Sequence, residues 1–128
     1  MGKHLKGKGV VDYDYKNDIL FFKTQEREYI KSIELDHIIV DIDKEDFLVG
    51  IQIFEASKFL NIKKKDLLSI PNWEFNANVY REEIGAKIEI RLNFQIKVRN
   101  KLTKINPIIL QNTQENLPNS NLECVAVV

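Results

Sequence analysis

The sequence predicts a mainly β domain, in which antiparallel β-hairpins form a curved sheet or barrel-like fold with one or two short helices. Three observations carry this. In residues 86–99, Ile88, Ile90, Leu92, Phe94, Ile96 and Val98 alternate without a fault with Lys87, Glu89, Arg91, Asn93, Gln95, Lys97 and Arg99. A period of two sends one set to a core and the other to water or a partner. Trp73, Phe75, Ala77 and Val79 repeat the pattern just upstream. In the first half, short apolar runs are separated by Asn- and Asp-bearing turns, whose side chains hydrogen-bond their own backbone.

Taken in order, residues 1–9 (MGKHLKGKG) are basic and glycine-rich and are expected to form a flexible arm. Gly2, Gly7 and Lys8 nearly spell a phosphate-binding loop. Gly9, however, stands where a Ser or Thr would hold magnesium, and no strand precedes the loop. Lys6 likewise spoils a myristoylation signal. A single β-rich domain is expected over 10–112. Val10–Tyr15 and Ile19–Thr24 form a hairpin about Lys16-Asn17-Asp18, and Tyr29–Leu35 makes a short edge strand. Ile38, Val40 and Ile42 share a face, as do Phe47, Val49, Ile51 and Ile53 beyond an acidic turn. Gly50 within that strand marks a bulge or a close neighbour.

A helix begins near Glu55, with Ala56, Phe59 and Leu60 expected to cover the sheet, and a second helical turn ends before Pro71. The run 86–99 exceeds the usual strand of about five or six residues, so it is expected to bend or to run on to another subunit. Asn100–Lys104 should turn, and Pro107–Gln111 suits an edge strand. Residues 113–128 form a C-terminal segment, apolar from Leu122 onward apart from Glu123, that reads as an edge strand paired within the chain or with a neighbour.

The 128 residues suit one domain, and 44% hydrophobic content is ordinary for a globular protein. Formal net charge is zero, but Val10–Leu60 holds six bases against twelve acids and Asn61–Lys104 ten against five. Opposed halves favour head-to-tail or self-complementary contacts. With one cysteine, Cys124, no charged-then-apolar leader and no long apolar run, the expected location is cytoplasmic.

Tyr13-Asp14, Asn17-Asp18-Ile19-Leu20, Ile39-Val40-Asp41-Ile42-Asp43, Val49-Gly50-Ile51-Gln52-Ile53 and Ala56-Ser57-Lys58 together resemble the prokaryotic domain-of-unknown-function family 2283. The resemblance covers residues 10–60; residues 61–112 are a β extension outside it. It implies β-hairpins packed with a short helix and supplies no catalytic residue. The family pattern usually has Gly in the acidic turn, which here reads Lys44-Glu45-Asp46-Phe47.

Candidate sites are few. Asp14, Asp41 and Asp43 would hold a hard cation or share a proton if the hairpins bring them together, although the turn lacks the glycine and the twelfth-position Glu of a calcium loop. His4, His37 and Cys124 are too few for structural zinc, and a Cys124–His37 nucleophile is disfavoured by the apolar tail. Lys87, Arg91, Lys97 and Arg99 line a strand face that would track phosphates, with Trp73 and Tyr80 to stack bases; Glu89 interrupts it. No catalytic residue, cofactor or membrane contact is expected. The leading expectation is a non-catalytic protein-interaction module that self-associates, as a homodimer. Nucleic-acid binding through the basic strand face, and an acidic-cluster cation-binding protein or enzyme, are the alternatives.

Overall fold

The computed structural model describes residues 3–127; Met1 and Gly2 of the expected arm and Val128 of the expected last strand lie outside the described residues. Ten strands and two short helices follow in order: β1 (Lys3–Asp14), β2 (Ile19–Thr24), β3 (Tyr29–Glu34), β4 (Ile38–Asp43), β5 (Leu48–Phe54), α1 (Ala56–Leu60), α2 (Lys64–Leu67), β6 (Asn72–Arg81), β7 (Ala86–Val98), β8 (Lys101–Ile105), β9 (Ile108–Thr113) and β10 (Ser120–Val127). They form one mixed sheet in the order β3-β4-β5-β2-β1-β10-β6-β7-β8, with β9 also on β7. All pairings are antiparallel except β1 with β10.

The sheet curls over its own core without closing. Phe22 of β2 meets Trp73, Phe75 and Phe94 from the other half, at centroid distances of 4.7, 6.3 and 6.2 Å. The alternating residues of β6 and β7 from Trp73 to Val79 and Ala86 to Ile96 are buried as their period requires. At the seam, Lys31 on β3 reaches Glu115 beyond β9 at 3.9 Å, but among the described residues no strand hydrogen bonds bridge the two ends.

Several expectations are corrected. From Lys3 onward the supposed arm is the first half of β1, which pairs with β10 and then bends to pair with β2. At this bend Gly9 is buried, and a Cβ there would come within 2.7 Å of the Trp73 ring. The C-terminal segment is no edge: β10 lies inside the sheet, between β1 and β6. The length of β7 is used within the chain, since β9 pairs with Ala86–Arg91 and β8 with Phe94–Val98, end to end. The turn after β7 is only Arg99-Asn100, both at positive φ as tight hairpins require, so 101–105 is strand rather than turn. Phe59 is 37% exposed and faces His37, leaving Ala56 as the fully buried residue of α1.

Other expectations match. β3 and β9 are edges, and the hairpin at Lys16–Asp18 forms as read. Gly50 lies opposite a register shift between Asp41 and Ile42, where a Cβ would sit 3.1 Å from the Phe22 carbonyl oxygen and 3.2 Å from an Asp41 carboxylate oxygen.

Candidate functional site

The acidic candidates do not converge. Asp14 ends β1, in register with Ile19 and through it with Phe54, whose N–H bonds the His37 carbonyl. Asp43 lies at the far end of β4, about 20 Å along the strand direction. Each carboxylate serves its own neighbourhood. Asp14 accepts the Asn17 side-chain amide at 2.8 Å and its backbone N–H at 3.1 Å, bonds that hold it below the usual carboxylate range. Asp41 accepts the Ser32 hydroxyl at 2.7 Å. Among the described residues no three His, Cys, Asp or Glu side chains gather as a metal site would need.

Asp43 has a different role. It is 2% exposed and accepts Arg27 Nε at 2.7 Å plus the backbone N–H groups of Glu45 and Phe47, both at 2.9 Å. Arg27 also donates to Glu45 at 2.7 Å and lies 5.3 Å over the Phe47 ring. Burial opposes the Arg27 charge, but the two carboxylates outweigh it and raise its pKa. Beside this pair opens a cleft of about 680 Å³, lined by Lys23, Glu26, Tyr29 and Ile30 among others.

A second cluster escapes sequence reading because its members lie 39 residues apart. Asp18, at φ 56°, accepts the Tyr13 hydroxyl at 2.6 Å, the Ser57 hydroxyl at 2.6 Å and the Ser57 N–H at 3.0 Å, while its carbonyl takes the Ala56 N–H at 3.0 Å. The hairpin turn thus caps α1, whose own N-cap, Glu55, makes no side-chain bond. Three of the stretches that carry the family resemblance meet here. Burial raises the Asp18 pKa, but the hydrogen bonds from Ser57 and Tyr13 outweigh it and the net shift is downward. Burial, then the Asp18 bond, pushes the Tyr13 hydroxyl well above its ordinary value.

A carboxylate whose folded pKa is depressed stabilises the fold above its unfolded pKa of about 3.9 and loses that contribution as pH falls through the folded value. Asp18→Ala is therefore expected to cost about 1–2 kcal/mol at neutral pH, as lost helix caps do. Urea denaturation from pH 7 down to about pH 2 should show that cost shrinking as the pH falls.

The basic candidates separate into two groups. Lys87 and Arg91 lie on the outward face of the first half of β7, in register with Tyr80 and Asn76, and Arg91 bonds Glu89 at 3.0 Å. That face is a polar network rather than a phosphate track. Asn76, Asn78 and Asn121 bond one another, Asn78 reaches Glu89, and His4 lies 3.5 Å from Glu123. Lys97 and Arg99 belong instead to the β7–β8 hairpin, exposed with Lys101 and Lys104. Trp73 is 1% exposed in the core and cannot stack a base, whereas Tyr80 is 45% exposed. Cys124 is buried 3.1 Å from the Thr24 hydroxyl, and burial raises its pKa; His37 lies against Phe59, not against the thiol.

These features define a mainly β domain with an open, curled mixed sheet and a hairpin-capped short helix. Residues 11–57 match the model of the family described as Protein of unknown function (DUF2283). Over 90 residues the chain is 37% identical to a protein of Methanosarcina mazei named putative hypoxanthine phosphoribosyltransferase, covering 70% of this chain and 73% of that one. It is 35% identical over 83 residues to an uncharacterized protein of Methanocaldococcus jannaschii, covering 64% and 72%. The chain belongs to one family with these two proteins and carries the DUF2283 segment within it. No solved structure matches it. No helix among the described residues is long and apolar enough to cross a membrane.

Proposed function

We propose that this protein is a non-catalytic interaction module that associates with copies of itself through the open edges of its sheet. The supporting observation is apolar surface on both edges. Tyr29 and Ile30 on β3 are 56% and 67% exposed, and Leu102, Ile108 and Leu110 on β8 and β9 are 61%, 54% and 54% exposed. Open edges offer unpaired backbone groups to another chain. Lys31, Lys101 and Lys104 on the same edges, with Pro107 between β8 and β9, limit indiscriminate pairing. The length of β7 and the apolar C-terminus no longer argue for a partner, since both are satisfied within the chain.

Phosphoribosyl transfer, the activity in the Methanosarcina relative's name, draws no support from the acidic turn. Phosphates are held by convergent backbone N–H groups. Here the N–H groups of Glu45 and Phe47 already bind the Asp43 carboxylate, which is itself tied to Arg27.

Sedimentation velocity over a concentration series tests the reading. The wild type should shift to larger species as concentration rises. Ile30→Lys together with Ile108→Lys should hold the protein as a monomer. A wild type that stays monomeric throughout overturns the proposal.

A further inference from the structure

The β7–β8 hairpin reaches past the core as a two-stranded ribbon. From Lys97 to Lys104 every residue except Val98 is exposed. The segment carries Lys97, Arg99, Lys101 and Lys104 and no acid. Its tip is the tight Arg99-Asn100 turn. A second basic element stands at the same end of the molecule. α2 packs against β7 and leads through a short link into β6, whose Trp73 is in register with Phe94. Lys63, Lys64 and Lys65 therefore lie toward the ribbon end of β7, with Asp66 the one acid in α2. The β1–β2 hairpin brings Asp12, Asp14 and Asp18 to this end, where Lys64 Nζ lies 4.6 Å over the Tyr15 ring; with Asp66 these four carboxylates stand against the seven cations of the ribbon and Lys63–Lys65, an excess of positive charge.

We infer that this end binds double-stranded DNA, with the ribbon laid in the major groove and its cations, joined by those of α2, on the flanking phosphates. The major groove of B-form DNA, about 12 Å wide, admits a two-stranded β-ribbon. The deep, narrow major groove of A-form RNA does not. Zero net charge is no obstacle. Glu82 and Glu83 lie beyond the other end of β7, thirteen residues away. At about 3.3 Å per residue that is roughly 40 Å, against a screening length of about 8 Å in physiological salt. The phosphates therefore meet a local positive field.

The test is fluorescence anisotropy of a labelled DNA duplex of about 20 bp, titrated with protein from about 50 to 200 mM salt. The wild type should bind with affinity that falls steeply with salt, and an RNA duplex of the same sequence should bind more weakly. Lys97→Gln, Lys101→Gln and Lys104→Gln together should weaken binding at least tenfold. They should also reduce the slope of log affinity against log salt by about three, near one per lost phosphate contact. Lys6→Gln, Lys8→Gln and Lys87→Gln, an equal charge change away from the ribbon, should leave binding as it was. All six positions lie outside the core, so circular dichroism should show both variants folded. Absence of DNA binding at the lowest salt overturns the inference, as do equal losses from both triple variants. Loss of self-association in the ribbon variant, with no DNA bound by the wild type, would assign the ribbon to an acidic protein surface instead.

Discussion

Phe22→Ala is expected to remove about 3–5 kcal/mol of unfolding free energy, the usual cost of deleting a fully buried aromatic ring. The side chain is 1% exposed and is the point where β2 touches the other half of the curled sheet. It meets Trp73 edge-on, with Phe75 and Phe94 on its other sides. Trp73 and Phe94 are register partners on β6 and β7, so one ring contacts a cross-strand pair and its neighbour. Rigid strands on both sides of the cavity limit collapse, which puts the cost at the upper end of the range. At roughly 3–5 °C per kcal/mol for a domain this size, the melting temperature should fall by about 10–20 °C. Phe59→Ala is the matched comparison: the sequence assigns Phe59 to the core, but it is 37% exposed and should cost under about 1 kcal/mol. Urea midpoints at constant m-value measure both, and equal costs would show that the two halves are not joined through Phe22.

What sequence could and could not reveal follows from where each signal resides. Alternation over Trp73–Val79 and Ile88–Val98 is local, and burial follows it residue by residue. The first half of β1 has the same period, but its inward positions are Leu5, Gly7 and Gly9. A glycine packed beneath a tryptophan leaves no hydrophobic signal, so the segment reads as a loose basic arm. The tightness of the turn after β7 is hidden for a related reason. Among the described residues seven non-glycine residues take positive φ, Arg99 and Asn100 among them, so that hairpin carries no glycine to announce it. The split of one edge into β8 and β9 is nonlocal too: it depends on Pro107, whose carbonyl accepts the Leu92 N–H at 3.1 Å between the two short strands. Of the candidate sites, the residue types were legible and their separation was not. Asp14 and Asp43 belong to different turns at opposite ends of their strands, whereas Asp18 and Ser57 meet across 39 positions.

Asp43→Ala is expected to cost about 2–4 kcal/mol, because two backbone N–H groups lose their acceptor and Arg27 is left with Glu45 as its one carboxylate partner. Arg27, with its side chain 22% exposed, would lose its 2.7 Å partner, and the Glu45 and Phe47 N–H groups would lose their acceptor. Arg27→Met should cost less, since the Asp43 carboxylate keeps two backbone donors and the aliphatic chain can still cover Phe47. Asp46→Gly should behave oppositely. Asp46 takes φ 66° in the turn where the family pattern has glycine, and glycine adopts that conformation at no steric cost. Its backbone N–H, which bonds the Asp43 carbonyl at 3.1 Å, survives the change. The expected result is a shift within about 0.5 kcal/mol of zero or a gain of up to about 1 kcal/mol, set by relief of left-handed strain against the added freedom of the unfolded chain. The three variants together separate the turn's backbone geometry from its buried charge. If Asp43→Ala and Asp46→Gly unfold at the same urea concentration, the turn is held by conformation alone, and the Arg27–Asp43 pair contributes nothing to its stability.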